Sequence, residues 1–144
     1  MKKNVLILLI LFVASCASTK NRYKMNCVSL ANEGYVKLQL DHPTKLTKNE
    51  LENLSKDAIH MILYLGYTSK ECQTQKPIFT QTEDRENFKK IESNFFSKGG
   101  IWTTFIRSEI NENNENERIV LVSKDALRQY LEEQKIIKSL TNGF

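Results

Sequence analysis

The chain has 144 residues, with 21 basic side chains against 17 acidic ones and a net charge of +4. The surplus sits near the start, at Lys2, Lys3, Lys20, Arg22 and Lys24, and from Cys27 onward the charges are nearly balanced. That length fits one domain, and a domain without a clustered basic stripe is not built for nucleic acid, so no nucleic-acid partner is expected.

Residues 5–13 form an unbroken apolar run behind Lys2 and Lys3, followed by Ala14, Ser15 and Cys16. A basic flank, a short apolar stretch and small residues make up a secretory signal. The run is too short to cross a bilayer, which takes roughly 20 apolar residues as a helix. Val13-Ala14-Ser15-Cys16 resembles the lipobox of bacterial lipoproteins. The resemblance implies a diacylglyceryl group on the Cys16 sulfur, cleavage before Cys16, and acylation of the new amine. Two or three chains, at about 0.8 kcal/mol per buried methylene, give the stable anchoring that one chain does not. The alternative is an ordinary signal peptide cut near Ala17, which would leave Cys16 incidental.

The organisation expected is a signal peptide over 1–15, a lipidated cysteine with a polar basic tether over 16–26, and one α+β domain over 27–144. The membrane, through lipid on Cys16, is the expected partner, together with other envelope proteins. A basic tether suits an anionic bilayer surface. Residues 17–20 carry no acidic side chain, which points to default sorting and an outer-membrane protein facing the periplasm.

Cys27 and Cys72 are the two remaining cysteines. An oxidising compartment permits a disulfide between them, and an even count allows it. The alternative is two unpaired thiols.

Residues 34–41 alternate apolar and polar side chains, the pattern of a half-buried strand. Thr47 and Glu50 form a capping box, so a helix begins near Lys48. Leu51, Leu54, Ala58, Ile62 and Leu65 recur at three and four, one apolar stripe, and Gly66 stops the helix. Residues 68–75 read as a polar loop and 76–79 as an extended segment. A second helix is expected over 85–96, ending at Gly99-Gly100. Residues 101–108 read as a strand from their β-branched and aromatic content, and 118–122 as its hairpin partner. Ser123 is placed to cap a last helix burying Ala126, Leu127, Tyr130 and Leu131. The order β-α-α-β-β-α predicts a small antiparallel sheet of about three strands with helices on one face.

The domain resembles a group of small Gram-negative envelope lipoproteins to which no chemistry is assigned. The likeness rests on Gln75-Lys76-Pro77-Ile78, Phe95-Phe96-Ser97-Lys98-Gly99-Gly100, Val122-Ser123-Lys124-Asp125-Ala126-Leu127-Arg128, Ile136-Ile137-Lys138 and Asn142-Gly143-Phe144. More distantly, a strand followed by the Ala58-bearing helix is similar to small modules of flagellar-associated envelope lipoproteins. Neither likeness implies an activity.

Candidate chemistry is thin. His42 and His60 lie in no zinc-binding spacing; His60 is expected to face solvent, with Asp57 one turn before it. Glu109, Glu112, Glu115 and Glu117 crowd one stretch but lack the calcium ladder of an EF-hand. Trp102, Phe105 and Phe95 could line a ligand groove, although core packing is the commoner fate of large aromatics. No catalytic residue, metal or cofactor is expected. Two readings follow: a non-enzymatic binding or assembly component of the envelope, or a small enzyme or ligand-binding module acting on cell-wall or glycan material.

Overall fold

A computed structural model describes residues 25–31, 34–41, 47–110 and 117–139. The alternation at 34–41 forms β2 (Tyr35–Asp41), with Val36 and Leu38 fully buried and Lys37 and Gln39 half exposed. Around it run β1 (Asn26–Ala31), β5 (Ile106–Ile110) and β6 (Glu117–Ser123). Together they make an antiparallel sheet ordered β1-β2-β6-β5. The register sets Val36 beside Val122 and Leu38 beside Val120, so one face is apolar. Leu54, Ala58, Leu127 and Leu131 from the helices join that face in one core cluster. The other face carries Tyr35, Lys37, Gln39 and Arg107, with Ile119 and Leu121 between them; neither Ile119 nor Leu121 belongs to the core cluster.

The α+β class stands, with four strands in this sheet in place of about three, and two elements that the sequence pattern hides. β1 precedes the first strand expected and pairs with β2 through a register shift between Cys27 and Ser29. Such a bulge breaks the period of two on which strand recognition depends. The polar stretch expected to be a loop contains a short hairpin, β3 (Tyr67–Ser69) and β4 (Gln73–Gln75). Its strands are three residues long and mostly polar, so no hydrophobic pattern announces them.

The first helix, α1 (Lys48–His60), begins at the capping box as expected. The Thr47 N–H donates to Glu50 Oε2 at 2.7 Å, and the Glu50 N–H to Thr47 Oγ1 at 3.3 Å. Leu54, Ala58 and Ile62 are buried, but Leu65, the last member of the stripe, is 63% exposed. The cause is a π-helical turn over Met61–Leu65, closed by the Gly66 N–H on Met61 O at 2.9 Å. Its i→i+5 bonding widens the turn, so each residue advances less around the axis and Leu65 rotates out of the stripe while Leu63 stays in the core. The carbonyls of Ile62 and Leu63 accept from the N–H groups of Ile78 and Phe79 at 3.0 and 2.9 Å, which satisfies the helix end and docks the segment after Pro77.

Gly66 ends the helix at φ 69, ψ −173, a region essentially reserved for glycine. A Cβ there would collide with Gln75 O and lie 3.0 Å from Pro77 N. Gly66→Ala is therefore expected to destabilise by about 1–3 kcal/mol. An unchanged urea midpoint would contradict this.

The second helix expected is two: α2 (Thr82–Lys89) and α3 (Glu92–Phe95), separated by a turn at Lys90 and Ile91. α2 starts earlier than expected because the buried Asp84 carboxylate accepts from the N–H groups of Thr80 and Gln81 at 3.2 and 3.0 Å. Residues 101–105, expected as strand, are a 3₁₀ turn, Ile101–Phe105. The Thr103 and Thr104 hydroxyls donate back to Gly100 O and Ile101 O at 2.8 and 2.7 Å, and this local bonding wins over strand propensity. The strand starts only at Ile106.

The last helix is α4 (Lys124–Glu133). Leu127 and Leu131 are buried and Tyr130 packs against the core, whereas Ala126 is exposed. Ser123 occupies the N-cap position without a side-chain cap bond. Gly34 does the capping instead: its carbonyl accepts from the Lys124 N–H at 2.9 Å and the Asp125 N–H at 3.4 Å. Among the described residues, no helix is long and apolar enough to cross a membrane.

Candidate functional site

Cys27 on β1 and Cys72 in the β3–β4 turn are joined as a disulfide, with their Cα atoms 6.0 Å apart and a sequence separation of 45. The side chains are 4% and 0% exposed, so the bond is sealed inside. Ser69 Oγ accepts from the Cys72 N–H at 3.0 Å and holds the turn that presents the sulfur. Of the expected site residues, these two are brought together.

Beside the bond, hairpin and last helix meet in the one cluster of described titratable groups that burial clearly perturbs on both partners. Tyr67 and Gln75 are cross-strand neighbours on β3 and β4. Lys124, the first residue of α4, donates from Nζ to Gln75 Oε1 at 3.0 Å and lies 5.8 Å from the centre of the Tyr67 ring. Burial lowers the Lys124 ammonium below its ordinary value, opposed by the Asp125 carboxylate. Burial also raises the Tyr67 phenol, and Asp125 pushes it the same way. Both groups are thus biased towards neutrality, as low dielectric requires. No nucleophile–base pair accompanies them among the described residues. What the arrangement does is fasten the start of α4 to the hairpin that the disulfide already ties to β1. Sequence reasoning missed this junction, because Lys124 and Gln75 are 49 residues apart and neither carries a local signature.

The three aromatics considered for a groove lie in the core. Phe95, Trp102 and Phe105 are 1%, 5% and 6% exposed. Phe95 and Phe105 stack with centres 6.1 Å apart, and both meet Tyr130. The Trp102 indole N–H donates to Ser97 O at 2.9 Å, the partner a buried indole needs. Lys56 caps the Trp102 ring at 5.2 Å. They sit among other side chains rather than along an open channel.

His60 is only half exposed, because its ring stacks on Tyr64 at 4.3 Å; the expected solvent-facing histidine is partly covered. Cys16, His42, residues 111–116 and Asn142-Gly143-Phe144 lie outside the described residues. Among the described residues, no three His, Cys, Asp or Glu side chains gather as a metal site would require. Compared with known proteins, the chain matches no family model, no curated protein and no solved structure.

Proposed function

We propose that this is a lipid-anchored protein of the bacterial envelope, acting as a non-enzymatic binding or assembly component. The observation that carries the reading is the buried Cys27–Cys72 bond. Disulfides persist outside the reducing cytosol, so the bond favours the exported chain that residues 1–16 describe. The lipobox at Val13-Ala14-Ser15-Cys16 supplies the anchor, and the basic residues Lys20, Arg22 and Lys24 suit the bilayer surface next to it. The likeness of the motifs around Gln75, Phe95 and Val122 to small envelope lipoproteins agrees with outer-membrane placement facing the periplasm. An assembly role is favoured over chemistry because the polar side chains drawn into the domain hold the fold: Lys124 binds Gln75, and Asp84 starts α2.

Cys16→Ser tests the reading. The wild-type chain is expected in the detergent-soluble membrane fraction, starting at Cys16 and heavier than its peptide by two or three acyl groups. The variant is expected to lose the acyl mass and the mature start. A wild-type product without acyl groups, or one beginning elsewhere, would overturn the anchor.

A further inference from the structure

An open sheet edge is a template for another strand, and proteins often guard it with charges. Here the two edges differ. β1 lies alongside β3 and is tied to the hairpin by the disulfide. β5 ends the sheet on the other side, and no described strand pairs with its outer edge. Its sequence is Ile106-Arg107-Ser108-Glu109-Ile110.

That sequence is complementary to itself when run antiparallel. With a two-fold axis at Ser108, Ile106 falls opposite Ile110 of a second copy, Arg107 opposite Glu109, and Ser108 opposite Ser108. An axis on a residue also respects the alternation of inward and outward backbone groups, because the paired residues then always point the same way. Moving the axis to Arg107 or Glu109 sets like charges opposite each other, which destabilises, and shortens the overlap. Charges that would repel a general intruder therefore select one register with a copy of the same strand. In the backbone register Ile106, Ser108 and Ile110 stand opposite Val122, Val120 and Arg118 of β6, and Arg107 and Glu109 opposite Leu121 and Ile119. In the isolated chain the Arg107 guanidinium rests over Tyr35 at 5.7 Å, an exposed contact from which a long side chain can swing to the edge.

We propose that two copies of this chain pair through β5 about a two-fold axis at Ser108, joining their sheets into one of eight strands. The pairing is isologous, as closed dimers require. It deepens the assembly reading above by naming a second copy as the partner, and it does not depend on the anchor.

The test uses the full chain in detergent. Opposed residues of an antiparallel pair have Cα atoms about 4.5–5.5 Å apart, within the reach of a disulfide. Ser108→Cys treated with diamide is expected to run as a covalent dimer, whereas wild type and Arg107→Cys stay monomeric on the same gel. Arg107→Glu or Glu109→Arg alone replaces two attractive pairs by two repulsive ones and is expected to weaken the dimer roughly 10- to 30-fold. The double variant Arg107→Glu/Glu109→Arg restores it, which separates lost pairing from lost folding. A wild-type chain that sediments as monomer, charge reversals without effect, or Arg107→Cys crosslinking as well as Ser108→Cys would each overturn the proposal. Failure of acylation bears on the anchor alone, and a monomer in this test bears on the edge alone.

Discussion

Phe88→Ala is expected to lower the free energy of unfolding by about 3–5 kcal/mol, the range for truncating a fully buried large aromatic. Phe88 is 0% exposed and sits at the centre of an aromatic cluster. Its ring lies 5.2 Å from Phe79, 5.2 Å from Phe95, 6.2 Å from Phe96 and 6.5 Å from Tyr64, mostly edge-on. Such pairs add about 0.5–1.5 kcal/mol beyond area burial, and the surrounding rings belong to three separate segments that cannot all relax into the gap. A domain holds only about 5–15 kcal/mol in total, so a large part of its stability would go with one ring. Phe88→Leu should recover part of the loss. A shift of the urea midpoint worth less than about 1 kcal/mol would mean that the cluster repacks freely, contrary to the density of protein interiors.

Loss of the Cys27–Cys72 bond is expected to have a comparable effect by a different route. Closing a loop of 45 residues restricts the unfolded chain and stabilises by about 4 kcal/mol on chain-entropy grounds. The double variant Cys27→Ala/Cys72→Ala is the informative one, since Ala leaves no buried hydroxyl behind. Its unfolding midpoint should fall by the equivalent of about 2–4 kcal/mol. The reduced wild-type protein should fall about as far. Because the sulfur atoms are buried, dithiothreitol should act slowly on the folded chain and fast once urea opens it. Equal stability with and without the bond would show that the geometry alone, rather than the covalent link, holds β1 against the hairpin.

Sequence patterns proved readable where one face meets one partner. The Thr47–Glu50 box, the stripe Leu54, Ala58 and Ile62, and the alternation Val36, Leu38 are local arrangements that burial then reinforces. They failed where local bonding or irregularity broke the period. Leu65 leaves its stripe because a π turn ends the helix, and nothing in Met61–Leu65 (MILYL) announces that turn. Residues 101–105 have strand-like side chains, yet two threonine hydroxyls bond back into a 3₁₀ turn whose buried members, Trp102 and Phe105, are three apart rather than two. β1 is hidden by its bulge. The last helix shows a subtler failure: Ser123 stands where a capping serine belongs, but Gly34, from the turn before β2, supplies the acceptor.

The site was less readable than the fold, for a physical reason. Counting cysteines allowed the Cys27–Cys72 bond but could not give its distance. The junction of Tyr67, Gln75 and Lys124 exists only once the hairpin, the helix start and the β2 turn have been brought together. Phe95, Trp102 and Phe105 show the reverse case, since a cluster in sequence that suggested a groove lies inside the core.

The covalent link also decides how the molecule answers mechanical load. A pull applied at the N-terminal end reaches Cys27 at the outset of the sheet and is passed through sulfur directly to Cys72. The stretch between them, a sequence separation of 45, carries no tension and cannot be drawn out, which removes about 150 Å of extensible length at roughly 3.3–3.6 Å per residue. Tugged from its ends, such a chain would pay out only what lies beyond the staple, and would behave as a short leash with a stiff knot near the hand.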